Sequence, residues 1–172
     1  AGADINLFKA WREIGAGRPE VVVAVIDGGI QYDHPDLAAN MWTNEAEMNG
    51  TPGVDDDGNG YVDDIYGWNY YTDSGTITQH FHGTHVAGTV AAVNNNGIGV
   101  CGVAGGTGVG DGVRLMSCQN YDTDANGQEV GSVTEESFIY AADNGAVIAQ
   151  CSWGYNGIET PLSMPASYDL TH

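Results

Sequence analysis

Six successive apolar residues, Val21 to Ile26, run without interruption into Asp27 and two glycines. A half-exposed strand would alternate polar and apolar positions, whereas this run is apolar throughout and almost wholly β-branched. It predicts a strand buried on both faces, which in soluble proteins means a parallel sheet covered by helices on each side. Two later stretches read as further strands of that sheet, "GVRLMSCQN" (112–120) and "AVIAQCSWG" (146–154).

Helical patterns fall between and around these strands. In "INLFKAWREIGAG" the stripe Leu7, Trp11, Ile14 predicts a short helix, with Asn6 as cap and Gly15 as stop. "HGTHVAGTVAAVNNNG" (82–97) has small apolar residues on most faces, the mark of a helix packed closely inside. "SVTEESFIYAADNG" predicts a helix opened by a Ser132–Glu135 capping box and closed at Asn144-Gly145. Strands alternating with helices give an α/β class with a mainly parallel sheet flanked by helices, in one domain over residues 1–172. Residues 31–81 are polar and turn-rich, with no sustained period.

Composition excludes several functions. Four Lys and Arg stand against 23 Asp and Glu, a formal charge of −19. Nucleic acid and anionic membrane both require clustered basic residues, so neither is an expected partner. The acidity suits cation binding or a salty habitat. No run approaches the length of a membrane span. The first residues lack a charged segment followed by an apolar one, so any secretory leader is expected to have been removed. Cys101, Cys118 and Cys151 are too few for a disulfide framework, and their apolar neighbours suggest buried small hydrophobes.

Chemistry concentrates at two points. Asp27 ends the first long strand, where sites form in open parallel sheets. It is either a turn residue or a buried carboxylate that needs a partner. His82 opens the small-residue helix. A buried carboxylate bonded to an imidazole fixes its tautomer and stabilises the imidazolium, leaving the other ring nitrogen to take a proton from a hydroxyl nucleophile. "HFHGTHVAGT" also holds His80 and His85. The string approaches a metallohydrolase H-x-H-x-D-H pattern, but Thr84 replaces its acid and no second cluster follows. His85 is therefore expected to be an interior histidine and His80 an exposed loop residue.

"VVVAVIDGGI", "HPDL", "HFHGTHVAGTVAAV" and "AQCSWG", in that order, resemble the subtilisin-like serine protease family from about Leu7 to Gly154. The resemblance implies Asp27 as triad aspartate and His82 as general base. It also implies Ser152, Trp153 and Gly154 as the strand that pairs with a polypeptide substrate, and residues 120–132 as a second flanking segment. Trp153 replaces an aliphatic residue, and Gly28 stands where Ser or Thr usually follows the aspartate, so one hydrogen bond to the carboxylate is expected to be missing. The family's nucleophile string, G-T-S-M-A, does not occur, and Ser163-Met164 reads as a loop. The chain is thus expected to be the N-terminal portion of the peptidase domain, inactive until joined by the C-terminal remainder of that domain as partner. Secreted, periplasmic or cell-surface placement follows from the resemblance. The alternatives are an inactive scaffold of the same fold and a calcium-dependent adhesion module.

The acidic loop "DDDGNGYVDD" (55–64) has the alternate spacing of a calcium loop. Its candidate ligands are Asp55, Asp57, Asn59, the Tyr61 carbonyl and Asp63, with Gly60 at the turn. Asp64 could stand in for Asp63, and Tyr66 occupies the place of the usual closing Glu. An exposed acidic turn is the alternative. The resemblance implies a second calcium site from Asp36, the Asn96 side chain and the carbonyls of Val93, Ile98 and Val100, with Asp4 as a further ligand. The Gly-rich stretch 102–113 precedes a strand rather than a helix and so reads as a turn, not a phosphate loop.

Overall fold

A computed structural model describes residues 4–154. The Ser163-Met164 loop and His172 lie outside the described residues. Among the described residues, a four-stranded parallel sheet has the order β2-β3-β1-β6. Its strands are β1 (Val22–Asp27), β2 (Gly67–Asn69), β3 (Arg114–Gln119) and β6 (Ala146–Gln150). A separate antiparallel hairpin joins β4 (Tyr121–Thr123) to β5 (Glu129–Gly131). The helices are α1 (Leu7–Ile14), α2 (Glu45–Met48), α3 (Phe81–Ala91) and α4 (Glu135–Asp143). The α/β class expected from the apolar runs is therefore what the chain adopts.

β1 explains its own sequence. Val23 and Val25 face one core with Leu37, Val86, Ala87, Ala91 and Leu115, while Ala24 and Ile26 face another with Trp68, Met116, Tyr140 and Ala141. Both faces are thus dry, and each fully buried Val or Ile contributes about 1.5–3 kcal/mol. α3 covers the first face through its small residues. A Cβ on Gly83 would come within 2.3 Å of the Gly29 carbonyl oxygen, so only glycine admits this approach. The Thr84 hydroxyl accepts from the Gln31 amide at 2.9 Å and ties the helix to the turn after β1. α3 therefore begins at the same carboxyl end of the sheet where Asp27 ends β1.

Several local expectations are corrected. Asn6 is left-handed and makes no side-chain cap; its own amide instead donates to Asp4 Oδ1 at 2.7 Å. The stripe of α1 is not buried among the described residues, although Trp11 donates to the Val103 carbonyl. Thr134, not Ser132, stands at the N-cap position of α4 and makes no side-chain cap, so the Ser132–Glu135 box does not form; the Thr134 amide goes to Asn120 Oδ1 at 3.0 Å. Its stop at Asn144 and left-handed Gly145 is as expected. Of the three free cysteines, Cys118 is buried but Cys101 and Cys151 are exposed. β6 pairs with β1 but leaves Val147 and Ile148 exposed. β2 and the β4–β5 hairpin were not expected as strands.

Candidate active site

The turn after β1 and the first turn of α3 bring two side chains together. His82 Nδ1 lies 2.9 Å from Asp27 Oδ1 and 3.0 Å from Oδ2. Asp27 is fully buried, whereas the His82 side chain is 36% exposed. Such a carboxylate must find donors. Oδ1 also accepts from the Gly28 amide and from the Tyr121 hydroxyl, each at 2.7 Å. Asp27 is thus not short of a hydrogen bond, as Gly28 had implied; Tyr121 of β4 supplies one. With Nδ1–H directed at the carboxylate, Nε2 is the nitrogen open to accept a proton, and it has no hydrogen-bond partner among the described residues.

The other two histidines exchange the roles expected of them. His80 is buried and caps α3: its Nδ1 accepts from the His82 amide at 3.3 Å and its Nε2 meets Thr123 Oγ1 at 2.9 Å. His85 is exposed. The reason is helical phase. Gly83, Val86, Ala87 and Ala91 make the buried stripe, and position 85 falls on the opposite face. The three imidazoles do not converge as metal ligands would, so the metallohydrolase pattern has no counterpart here.

Burial and the Asp27 charge, in that order, push the Tyr121 hydroxyl well above its ordinary range, which keeps it a donor at any physiological pH. Burial, and then Asp27, also raise the Cys151 thiol, which is therefore held protonated beside the pair. The segment after β6 reaches the same place. The Trp153 indole donates to the carbonyl of Ile26 at 2.8 Å, one residue before Asp27. Ser152 is exposed and accepts from Gln150 at 2.9 Å, and Gly154 is exposed beside it.

The acidic loop folds around donors as well as carboxylates. Oxygens of Glu47, Asp55 and Asp57 lie within 4.8 Å of one another, a hard-oxygen set that fits calcium. Glu47 was not among the expected ligands. It sits in α2, ahead of the loop, and is buried, with its carboxylate accepting from the amides of Asp56, Asp57 and Asp63. The Glu-Ala-Glu segment before an Asp-rich loop was the available signal. The Gly60 amide, with those of Gly58 and Asn59, lowers the Asp55 carboxyl despite a partial opposing effect of burial. Asp63 turns its carboxylate to the Gly53 amide at 2.8 Å, with a left-handed backbone. Asn59 accepts from the Tyr61 amide and donates to Asp57 and Asp64. Asp64 is buried and accepts from Tyr140, Asn44 and Asn59.

Two of the residues expected at the second calcium position, Asp36 and Asn96, are in contact. Buried Asp36 accepts from the Asn96 amide at 2.7 Å and from the Val100 amide at 2.8 Å, while its carbonyl accepts from Val93. Asn96 Oδ1 accepts from the Ile98 amide. Asp4 is engaged with Asn6 rather than with this loop.

Residues 18–170 match the subtilase family of S8 peptidases. The chain is 47% identical over 111 residues to subtilisin-like protease 1 of Plasmodium vivax, covering 63% of this chain and 17% of that protein. It is 30% identical over 154 residues to halolysin of Haloferax mediterranei, covering 90% of this chain and 25% of that protein. It is 30% identical over 168 residues to fervidolysin of Fervidobacterium pennivorans, covering 95% and 20% respectively. The chain thus spans a quarter or less of the length of these relatives. No described helix is long and apolar enough to cross a membrane.

Proposed function

The chain belongs to the subtilase family, and on that premise we propose that the full-length protein is a calcium-stabilised serine endopeptidase acting outside the cytoplasm. The observation that carries this reading is the contact of His82 Nδ1 with both oxygens of the fully buried Asp27. Asp27 holds the imidazole in the tautomer whose Nε2 is a base. His82 takes the proton from a serine supplied by the C-terminal part of the domain as that serine attacks a peptide carbonyl, then returns it to the leaving amine. General acid–base work of this kind contributes about 10²- to 10⁴-fold.

In this reading a polypeptide substrate lies along Ser152-Trp153-Gly154, which the Trp153–Ile26 hydrogen bond keeps next to the pair. Calcium is held by Asp55 and Asp57 of the acidic loop together with Glu47 of α2, a reading supported by the clustering of their oxygens. A second ion is held by Asp36 and Asn96 with the carbonyls of Val93, Ile98 and Val100, supported by the meeting of the Asp36 side chain with that loop.

A fluorophosphonate probe tests the proposal on the full-length protein. Covalent labelling, abolished by His82→Ala and strongly slowed by Asp27→Ala, is expected. A full-length protein that neither labels nor cleaves denatured casein would be an inactive member of the family.

A further inference from the structure

We infer that Tyr121 is a positioning residue for the Asp27–His82 pair: its ring edge lies against the space that Gly28 leaves open, and its hydroxyl fixes the carboxylate and moderates its pull on the imidazole. The inference rests on the peptidase reading of that pair but concerns a group outside the expected triad. Three donors reach Asp27 Oδ1, from Tyr121 at 2.7 Å, Gly28 at 2.7 Å and His82 at 2.9 Å, whereas among the described residues Oδ2 meets His82 alone, at 3.0 Å. The first two define which oxygen is pinned, and so the plane in which the carboxylate meets the ring. Tyr121 also lies 3.3 Å from His82 Nδ1. That nitrogen already directs its proton at Asp27, so the phenol proton has the carboxylate as its acceptor.

The fit depends on a missing side chain. A Cβ on Gly28 would stand 2.9 Å from Tyr121 Cε2 and 2.6 Å from the His80 ring. His80 stacks edge-to-face on Tyr121, with centroids 5.3 Å apart, and is itself held by Thr123 of the same hairpin. β4 is therefore docked against the turn after β1 through Tyr121, and the glycine is what admits it. The groups that meet His82 are Asp27 from β1, Tyr121 from β4 and His80 at the head of its own helix, while Cys151 after β6 interacts with Asp27; Cys151 and Tyr121 both stay protonated.

Removing the Tyr121 proton donor leaves more negative charge on Asp27 for the imidazolium, so the His82 pKa rises. It also frees the carboxylate to rotate, so turnover falls without loss of substrate affinity. In full-length Tyr121→Phe the His82 ring, titrated by NMR, is expected to shift upward by about half a unit or more. The acid limb of kcat/KM should move with it, and kcat should drop about tenfold at unchanged KM. Gly28→Ala, which presses the ring off the carboxylate, should shift the titration in the same direction. A wild-type titration and wild-type kcat in folded Tyr121→Phe would overturn the inference. Should the wild-type protein fail to react with a fluorophosphonate, the peptidase reading falls, while the titration still decides whether Tyr121 tunes the pair.

Discussion

Tyr140→Phe probes the link between the core and the acidic loop. The Tyr140 hydroxyl donates to Asp64 Oδ2 at 2.7 Å, and both residues are buried. Asp64 has two other donors, Asn44 at 2.8 Å and Asn59 at 3.1 Å. The Asn44 amide also reaches Asp57 at 2.8 Å, so the chain Tyr140–Asp64–Asn44–Asp57 ties the loop to the sheet's second core. The substitution keeps the ring in its packing with Tyr61 and deletes one donor to a buried charge. Hydrogen bonds to charged groups contribute about 1.5–3 kcal/mol, and that is the expected loss at neutral pH.

The pH dependence gives this prediction its sign. Burial raises the Asp64 carboxyl above its ordinary value, while Tyr140, Asn59 and Asn44 oppose that rise. An acid with a folded pKa above its unfolded one favours the fold most below the unfolded pKa. That contribution is lost as pH rises through the folded value. Deleting Tyr140's proton raises the folded value further, so the penalty should be largest near neutrality and shrink as pH falls through the two folded values, both of which lie above the ordinary carboxyl range. Denaturant unfolding of the full-length protein at fixed calcium, in a His82→Ala background that removes the proposed peptidase activity, measures both arms. A pH-independent penalty, or one under about 0.5 kcal/mol at pH 7, would refute the reasoning. So would an equal penalty in an Asp64→Asn background.

Two further perturbations test other parts of the account. Gly83→Ala places a methyl against the Gly29 carbonyl, and should cost about 1–3 kcal/mol in denaturant unfolding while slowing fluorophosphonate labelling by moving His82; unchanged stability would show that α3 is not seated as described. Calcium at 100-fold over its dissociation constant would add about 2.7 kcal/mol. A chelator should therefore lower the melting temperature, and Glu47→Gln with Asp57→Asn should remove most of that effect; an identical melt with and without chelator would contradict the site.

The parts of the fold legible in sequence are those whose signal is local. β1 declares itself because both its faces are buried, and α3 because close packing demands Gly83, Ala87 and Ala91. Asp27 and His82 stood out as candidates from their positions at the ends of those two elements, and the family resemblance paired them. What was not legible depends on distant partners. β2 is three residues long, too short for any period, and is specified by pairing with β3, where Gly67 closes on the Ser117 carbonyl. Tyr121 is 94 residues from Asp27, and nothing in its own neighbourhood marks it as a donor to that carboxylate. Glu47 reads as an ordinary helix residue until the loop folds over it. His80 and His85 were assigned to each other's environments because His80 is covered by Tyr121 and Thr123 of the distant hairpin, while helical phase turns His85 away from the sheet.

The central claim is that Asp27 orders the His82 ring through Nδ1–H. Proton NMR of the full-length protein tests it without turnover. A ring-proton resonance well downfield of the amides, assigned to His82 Nδ1 and abolished by Asp27→Ala, is the predicted result. A His82 ring protonated at Nε2 in its neutral form, or a spectrum indifferent to Asp27→Ala, would contradict it.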